Sequence, residues 1–297
     1  MSNEEKFAVT NHLVEKLTET LLAGDASESE LVLQEAYLNK FSALDIYQSI
    51  FVKAMNRIGM LWHTGEITIA HEHRASEIVM GLTDKVADNT PHLSINGFSA
   101  LVACVEDENH VLGAKLFSSI LEINGWVVHY LGSSMPAVDL KSFSEETAPD
   151  AIILTATSTD RTARVYEALD LLSDLNNDPV ILLGGSGVSE EKFSDQLVAQ
   201  DLSSGLDLLE KNLNIGTDLH GLEQVLIGIG NNIQNLRKAR GMNQGQLADI
   251  AGVDRAYISL VENGKQNLTL GALVKLSDSL SVPVSALVPT STRGITK

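Results

Sequence analysis

A chain of 297 residues that is 44% apolar and 20% charged is long enough to bury the cores of two or three globular domains. Its formal net charge of -18 excludes the whole as a non-specific polyanion binder, which needs clustered Lys and Arg. A single cysteine, Cys104, excludes an intrachain disulfide and a zinc ribbon, and neither a signal sequence nor an apolar run of roughly 20 residues is present, so a cytoplasmic protein with no membrane partner is expected.

From about Phe7 to Ala87 apolar residues recur at intervals of three and four. Leu13, Leu17 and Leu21 predict one helix; Ile46, Ile50, Met55, Ile58 and Leu61 another; Ile69, Ile78 and Leu82 a third. With "LVLQEAYLNKF" this gives an all-α bundle over residues 7–90, followed by a linker, "DNTPHLSING". Within it, Trp62-His63 end a helix, Thr64-Gly65-Glu66 make a turn, and Thr68 caps a helix that carries Glu72 and His73 in its first turn. That arrangement brings an indole, a carboxylate and imidazoles to one end of the bundle. A buried Trp with polar surface neighbours is the plain alternative. A zinc site from His63, His71, Glu72 and His73 is a weaker one, because His71 and His73 point to different faces of a helix.

Over residues 97–216 the pattern becomes short apolar runs alternating with helical stretches. "SALVACV", "WVVHYL", "DAIILTA" and "PVILLGG" predict four buried parallel strands, with "AQDLS" as a possible short fifth. Helices are expected near 111–124, 136–147 and 160–176, which makes an α/β parallel-sheet, Rossmann-like domain. Ligands of such sheets sit beyond the carboxyl ends of the strands, and His110 falls just after the first. Gly113 leaves room for a flat ligand, Thr155 and Thr157 follow the third strand, and Gly184-Gly185 follow the fourth. Gly-x-Gly-x-x-Gly is absent after the first strand, which sets aside a dinucleotide site. Taken alone, His110 is more simply an exposed loop or helix-capping residue.

Glu108-x-His110-x-x-Gly113, Thr155-Ala156-Thr157 and Gly184-Gly185 together resemble the cobalamin-binding domain of methionine synthase, corrinoid methyl carriers and cobalamin photoreceptors. The resemblance covers roughly residues 7 to 216, since that family also places a helical cap first. It implies that His110 is the lower axial cobalt ligand, with Glu108 on its other ring nitrogen and the nucleotide tail of the cofactor in the slot beside Thr155, Thr157, Gly184 and Gly185. Two positions depart from the usual pattern: Glu108 replaces Asp, and Thr157 replaces Leu. Trp62-x9-Glu72-His73 is similar to the cap of the adenosylcobalamin light-sensing repressors of the CarH/LitR type. It implies that Trp62 packs over the adenosyl group, that Glu72 and His73 contact it, and that His63 takes the upper cobalt position after photolysis.

From Gly228 onward eight bases meet four acids, a net charge of +4 that leaves -22 for the residues before it. Within residues 222–290, positions 232 to 287 resemble the Cro/XRE-like helix-turn-helix domain, all-α. Asn243 caps one helix, Ala251-Gly252-Val253 turns, and Asp254 caps a second; Leu247, Ala248, Val253, Ile258 and Val261 read as core. Arg255, Ala256, Tyr257 and Ser259 are the expected base-reading positions, while Arg237, Lys238, Gln244 and Lys265 are expected at phosphates. A solvated bundle or protein-interaction module is the alternative. The light-sensing repressors carry a MerR-like DNA-binding domain at the other end, so the output domain here is a departure. The expectation is a non-enzymatic, homo-oligomeric transcription regulator that binds DNA and adenosylcobalamin and responds to light. A light-independent cobalamin sensor and a corrinoid methyl carrier are the alternatives.

Overall fold

The computed structural model describes residues 3–93, 95–213 and 222–288, so residues 1–2, Ser94, residues 214–221 and residues 289–297 lie outside the description, with the last residues of the expected second and third domains among them. The chain divides into two compact units, Met1–Leu213 and Asn214–Lys297.

The first unit opens with helices α1 (Asn3–Ala23), α2 (Ala26–Leu38) and the single turn α3 (Ala43–Asp45). Leu13, Leu17 and Leu21 are buried on one face of α1, as their spacing requires. Asp25 caps α2 by accepting the N–H of Glu28 at 3.0 Å, and Ser42 and Asp45 form a reciprocal capping box at α3. A π-helical segment, Ile46–Phe51, then leads into α4 (Val52–His63). Tyr47 in that segment donates its hydroxyl to the carbonyl of Thr83 at 3.0 Å and is fully buried. Thr68 caps α5 (Ile69–Asn89), whose buried row is Ala75, Val79, Leu82 and Val86. Ile69, expected on that row, sits in the first turn and is 43% exposed.

The second half alternates strands and helices: β1 (Ser99–Val105), α6 (Leu112–Ile123), β2 (Val127–Met135), α7 (Ala137–Thr147), β3 (Ala151–Thr155), α8 (Thr162–Leu172), β4 (Val180–Gly184), β5 (Leu197–Val198) and α9 (Leu202–Asn212). The sheet order is β2-β1-β3-β4-β5, and every pair is parallel. β1 and β3 are buried almost throughout because helices cover both faces. The expected fifth strand at "AQDLS" is displaced. Leu197–Val198 form the strand, while Asp201 is the N-cap of α9 and accepts the N–H of Ser204 at 2.8 Å.

One hydrophobic core joins the helical bundle to the sheet domain. Leu116, Ile120 and Ile123 on α6 pack into the same buried cluster as Leu13, Leu17, Ile50, Ile58 and Val79 of the bundle. Lys115 pairs with Asp84 at 2.8 Å, and Gln48, presented by the π-helical turn, accepts the N–H of Ser203 at 2.9 Å. No helix among the described residues is long and apolar enough to cross a membrane.

The second unit contains α10 (Leu222–Ala239), α11 (Gln244–Ala251), α12 (Arg255–Glu262) and α13 (Leu270–Ser279). Asn243 and Gln246 form a capping box, and Gly252 ends α11 with a left-handed residue at φ +61°, the turn the sequence predicts. Leu247, Ala248, Ile258 and Val261 are buried with Ile229, Ile233, Leu273, Leu276 and Leu280. Gly230 lets α10 lie against the end of α12, since a Cβ there would fall 2.4 Å from the carbonyl oxygen of Val261.

Arg237, expected at a DNA phosphate, is instead an interior residue. Its guanidinium donates to both carboxylate oxygens of Glu262, at 2.5 and 2.8 Å, and to the carbonyl of Met242 at 2.7 Å. Gln244 donates to the same carboxylate at 2.8 Å. This pair ties α10 and α11 to the end of α12 and leaves Arg237 no freedom to reach a phosphate. Removing one member of a buried, bidentate pair strands the other, at a cost of about 3–5 kcal/mol. Arg237→Ala is therefore expected to lower amide protection of α12 in hydrogen exchange while α1 to α9 keep theirs, and unchanged α12 protection would contradict the assignment. Burial pushes the Glu262 carboxyl up, but Arg237 and Gln244 outweigh it and hold it below the ordinary glutamate range. A depressed carboxyl stabilises the fold above that range and ceases to do so as pH falls through its lowered value. Protection of α12 should thus decline in acid, and Glu262→Gln should flatten the decline.

Candidate functional site

The order β2-β1-β3-β4-β5 reverses direction between β1 and β3, and the loops after those two strands form the crevice in which such sheets bind ligands. The loop after β1 turns sharply: the N–H of Glu108 donates to the carbonyl of Val105 at 3.0 Å, and Asp107 stands at φ +67°. Glu108 then points inward and is 1% exposed. Its Oε1 accepts the N–H of His110 at 2.8 Å and His110 Nδ1 at 2.6 Å. Its Oε2 accepts the N–H of Thr157, in the loop after β3, at 2.7 Å.

Burial alone would raise the Glu108 carboxyl, but the His110 and Thr157 N–H groups and the imidazole outweigh it, so the carboxyl is held below its ordinary range. An ionised carboxylate only accepts, so the proton of the neutral imidazole is on Nδ1 and the lone pair is on Nε2. The His110 side chain is 60% exposed, and its Nε2 has no partner among the described residues. The crevice thus presents one oriented, exposed nitrogen donor.

Cys104, Thr155 and Gly184 lie side by side at one register of the sheet. The Thr155 hydroxyl donates to the Cys104 thiol at 3.2 Å, so it is already engaged. Thr157 is exposed, and its part in the network is its backbone N–H rather than its hydroxyl. A Cβ on Gly113 would meet nothing within 4 Å, which leaves that side of the crevice open. Gly185 has a different necessity: at φ +99° its Cβ would lie 2.4 Å from the Ala156 carbonyl oxygen. Gly187, which the sequence motif does not single out, meets the same limit against Ser158 at 2.5 Å. Only glycine lets the loop after β4 lie against the loop after β3.

In the helical bundle, Trp62 and His63 close α4 and Glu72 and His73 occupy the first turns of α5, across the turn the sequence predicts. Trp62 is 42% exposed, so the buried-Trp alternative does not hold. Glu72 accepts the Ser76 hydroxyl at 2.9 Å and lies 3.7 Å from His73 Nε2. Among the described residues no hydrogen bond links the Trp62-His63 pair to the Glu72-His73 pair. His71 is engaged with the Thr68 hydroxyl at 2.8 Å, and no cluster of three His, Cys, Asp or Glu residues suited to a metal is found among the described residues.

In the second unit Arg255 and Ala256 are exposed at the start of α12, and Ser259 is half-buried. Tyr257, expected to face outward, packs partly against the domain core. Lys238 and Lys265 are exposed, while Gln244 is committed to Glu262.

Comparison with known proteins gives three matches along the chain. A B12 binding domain family matches residues 13–85, a second B12 binding domain family matches residues 98–202, and a helix-turn-helix family matches residues 233–287. Dimethylamine corrinoid protein 1 of Methanosarcina acetivorans is 22% identical over 169 residues, which are 54% of this chain and 79% of that protein. The structure of the Methanosarcina barkeri monomethylamine corrinoid protein aligns with a TM-score of 0.58 at 17% identity, over 68% of this chain and 99% of that one, a likeness of fold alone. Control protein C.SmaI of Serratia marcescens is 35% identical over 60 residues, 20% of this chain and 71% of that protein. The chain thus carries B12-binding domains over its helical and α/β halves, and through residues 233–287 it belongs to the helix-turn-helix family.

Proposed function

We propose that this protein is a transcription regulator whose DNA binding depends on adenosylcobalamin and responds to light. The observation that carries the corrinoid part is the Glu108 carboxylate fixing the His110 tautomer beside a crevice opened by Gly113. A neutral imidazole with its second nitrogen held by a carboxylate suits cobalt. In this reading His110 would hold the cobalt through Nε2 with Glu108 orienting its ring, and Thr155, Thr157, Gly184 and Gly185 would border the space for the nucleotide tail. Bound adenosylcobalamin supplies a cobalt–carbon bond that visible light breaks.

The remaining roles belong to the chain itself. Trp62 offers an exposed indole that would cover the upper face, and Glu72 and His73 would supply polar groups to the adenosyl moiety. The His63 side chain has no hydrogen bond among the described residues, and it would supply a second imidazole on that face. A switch needs contacts that differ between two states, and the cap surface is where they differ here. Arg255, Ala256 and Ser259 face base edges, and Lys238 and Lys265 meet phosphate, in a homo-oligomer on DNA.

The functional test is DNA selected from a random library by adenosylcobalamin-loaded protein, measured in the dark and after green light. A change in affinity with light supports the reading. Cobalamin-dependent but light-independent binding makes the protein a sensor of cofactor supply. Absence of selected DNA, with methyl transfer to and from the bound corrinoid by a partner enzyme, makes it a carrier, as its relatives' names suggest.

Four variants separate the parts. Glu108→Ala should weaken cobalamin retention by about 10- to 100-fold, read by dialysis against free cofactor. His63→Ala should bind adenosylcobalamin in the dark yet lose a stable illuminated spectrum; an unchanged photoproduct would remove His63 from the upper position. Lys265→Ala should weaken binding about equally across DNA sequences and reduce the salt slope by about one, whereas Arg255→Ala should cost about 1–3 kcal/mol and relax one base position.

A further inference from the structure

Between β1 and β2 the register slips twice: Val102 faces Tyr130, Ala103 faces Gly132, and Val105 faces Met135. β2 therefore uses two more residues than β1 over the same length. Such bulges bend a strand and re-aim what it presents, and they concentrate beside functional sites. Gly132 takes a left-handed conformation, φ +75°, at no steric cost, but Ser134 takes one at φ +50° with a side chain. A non-glycine residue holds that conformation only where its surroundings fix it.

Those surroundings are residues 107 and 108. The Ser134 N–H donates to the Glu108 carbonyl at 2.9 Å, and the Ser134 hydroxyl oxygen accepts the Asp107 N–H at 3.0 Å. Asp107 is itself left-handed, φ +67°. Neither contact involves the Glu108 carboxylate, which is held from the opposite side by the Thr157 N–H. The peptide that carries Glu108 is thus gripped from β2 while its side chain is gripped from the β3 loop.

We infer that Ser134 is a positioning residue for the His110 imidazole: through its N–H and hydroxyl it fixes the main chain from which Glu108 reaches Nδ1. A residue that served only the sheet edge would change stability when replaced and leave the imidazole untouched. The spectroscopic arm of the test rests on His110 as the cobalt ligand; the imidazole arm does not.

Ser134→Ala removes the acceptor, whereas Ser134→Asn keeps a side-chain oxygen on a residue that tolerates positive φ. In the cofactor-free full chain, nitrogen-15 NMR reads solvent exchange of the His110 Nδ1 proton. In the chain loaded with cob(II)alamin, electron spin resonance reads the fraction with an axial nitrogen. The expected result for Ser134→Ala is about tenfold faster exchange, a hydrogen bond's worth, and a reduced axial-nitrogen fraction, with Ser134→Asn restoring both. Wild-type exchange in Ser134→Ala, or no rescue by Asn together with equal loss of thermal stability in both variants, overturns the inference. If Ser134→Ala does not fold, Ser134→Gly, which relieves the backbone while lacking the hydroxyl, decides by the same two outcomes. If the wild-type chain shows no axial nitrogen, the corrinoid assignment of His110 fails, and the exchange arm still decides the role of Ser134.

Discussion

Glu108 is buried where the strand order reverses, with its two oxygens taken by N–H donors from two different loops. A buried carboxylate without such donors would be costly to keep ionised. With them it holds the loops after β1 and β3 together and fixes the imidazole in one tautomer. The exposed nitrogen of His110, the open side at Gly113 and the tight glycine path at Gly185 and Gly187 all take their positions relative to that carboxylate. The second oxygen of Glu108 reaches across to the Thr157 amide at 2.7 Å.

The helical half is anchored to the same framework. α6 begins two residues after His110, and its Leu116, Ile120 and Ile123 share a core with the bundle. Gln48 from the π-helical turn adds a contact at the start of α9. α6 therefore runs from the crevice into the core of the helical bundle. Within the second unit, the corresponding anchor is the Arg237–Glu262 pair, which sets α12 against α10.

Much of the fold was legible because burial leaves a period. β1 and β3 are sandwiched on both faces and read as unbroken apolar runs, and Leu13, Leu17 and Leu21 read as one helix face. Glu108-x-His110-x-x-Gly113 was legible because the turn that joins them is local. What the sequence hid depends on contacts between distant segments. Arg237 looks like any basic surface residue until Glu262, 25 positions away, is brought beside it. Thr157 looks like a hydroxyl group, yet it acts through its amide, which every residue but proline carries. "AQDLS" places apolar Ala199 and Leu202 near an apolar run, but Asp201 and Ser204 instead close a helix cap. The double slip at Gly132 and Ser134 has no signature beyond one glycine, since a serine in a left-handed turn is spelled like any other.

The central claim is that His110 Nε2, oriented by Glu108, is the donor beneath cobalt. The most direct measurement is electron spin resonance of the cob(II)alamin-loaded chain prepared with natural-abundance histidine and with nitrogen-15 histidine. Replacement of each three-line superhyperfine group by a two-line group in the labelled protein, abolished by His110→Ala, is the predicted result. Three-line groups in both preparations would mean that the cofactor keeps its own base on the metal, and would contradict the account.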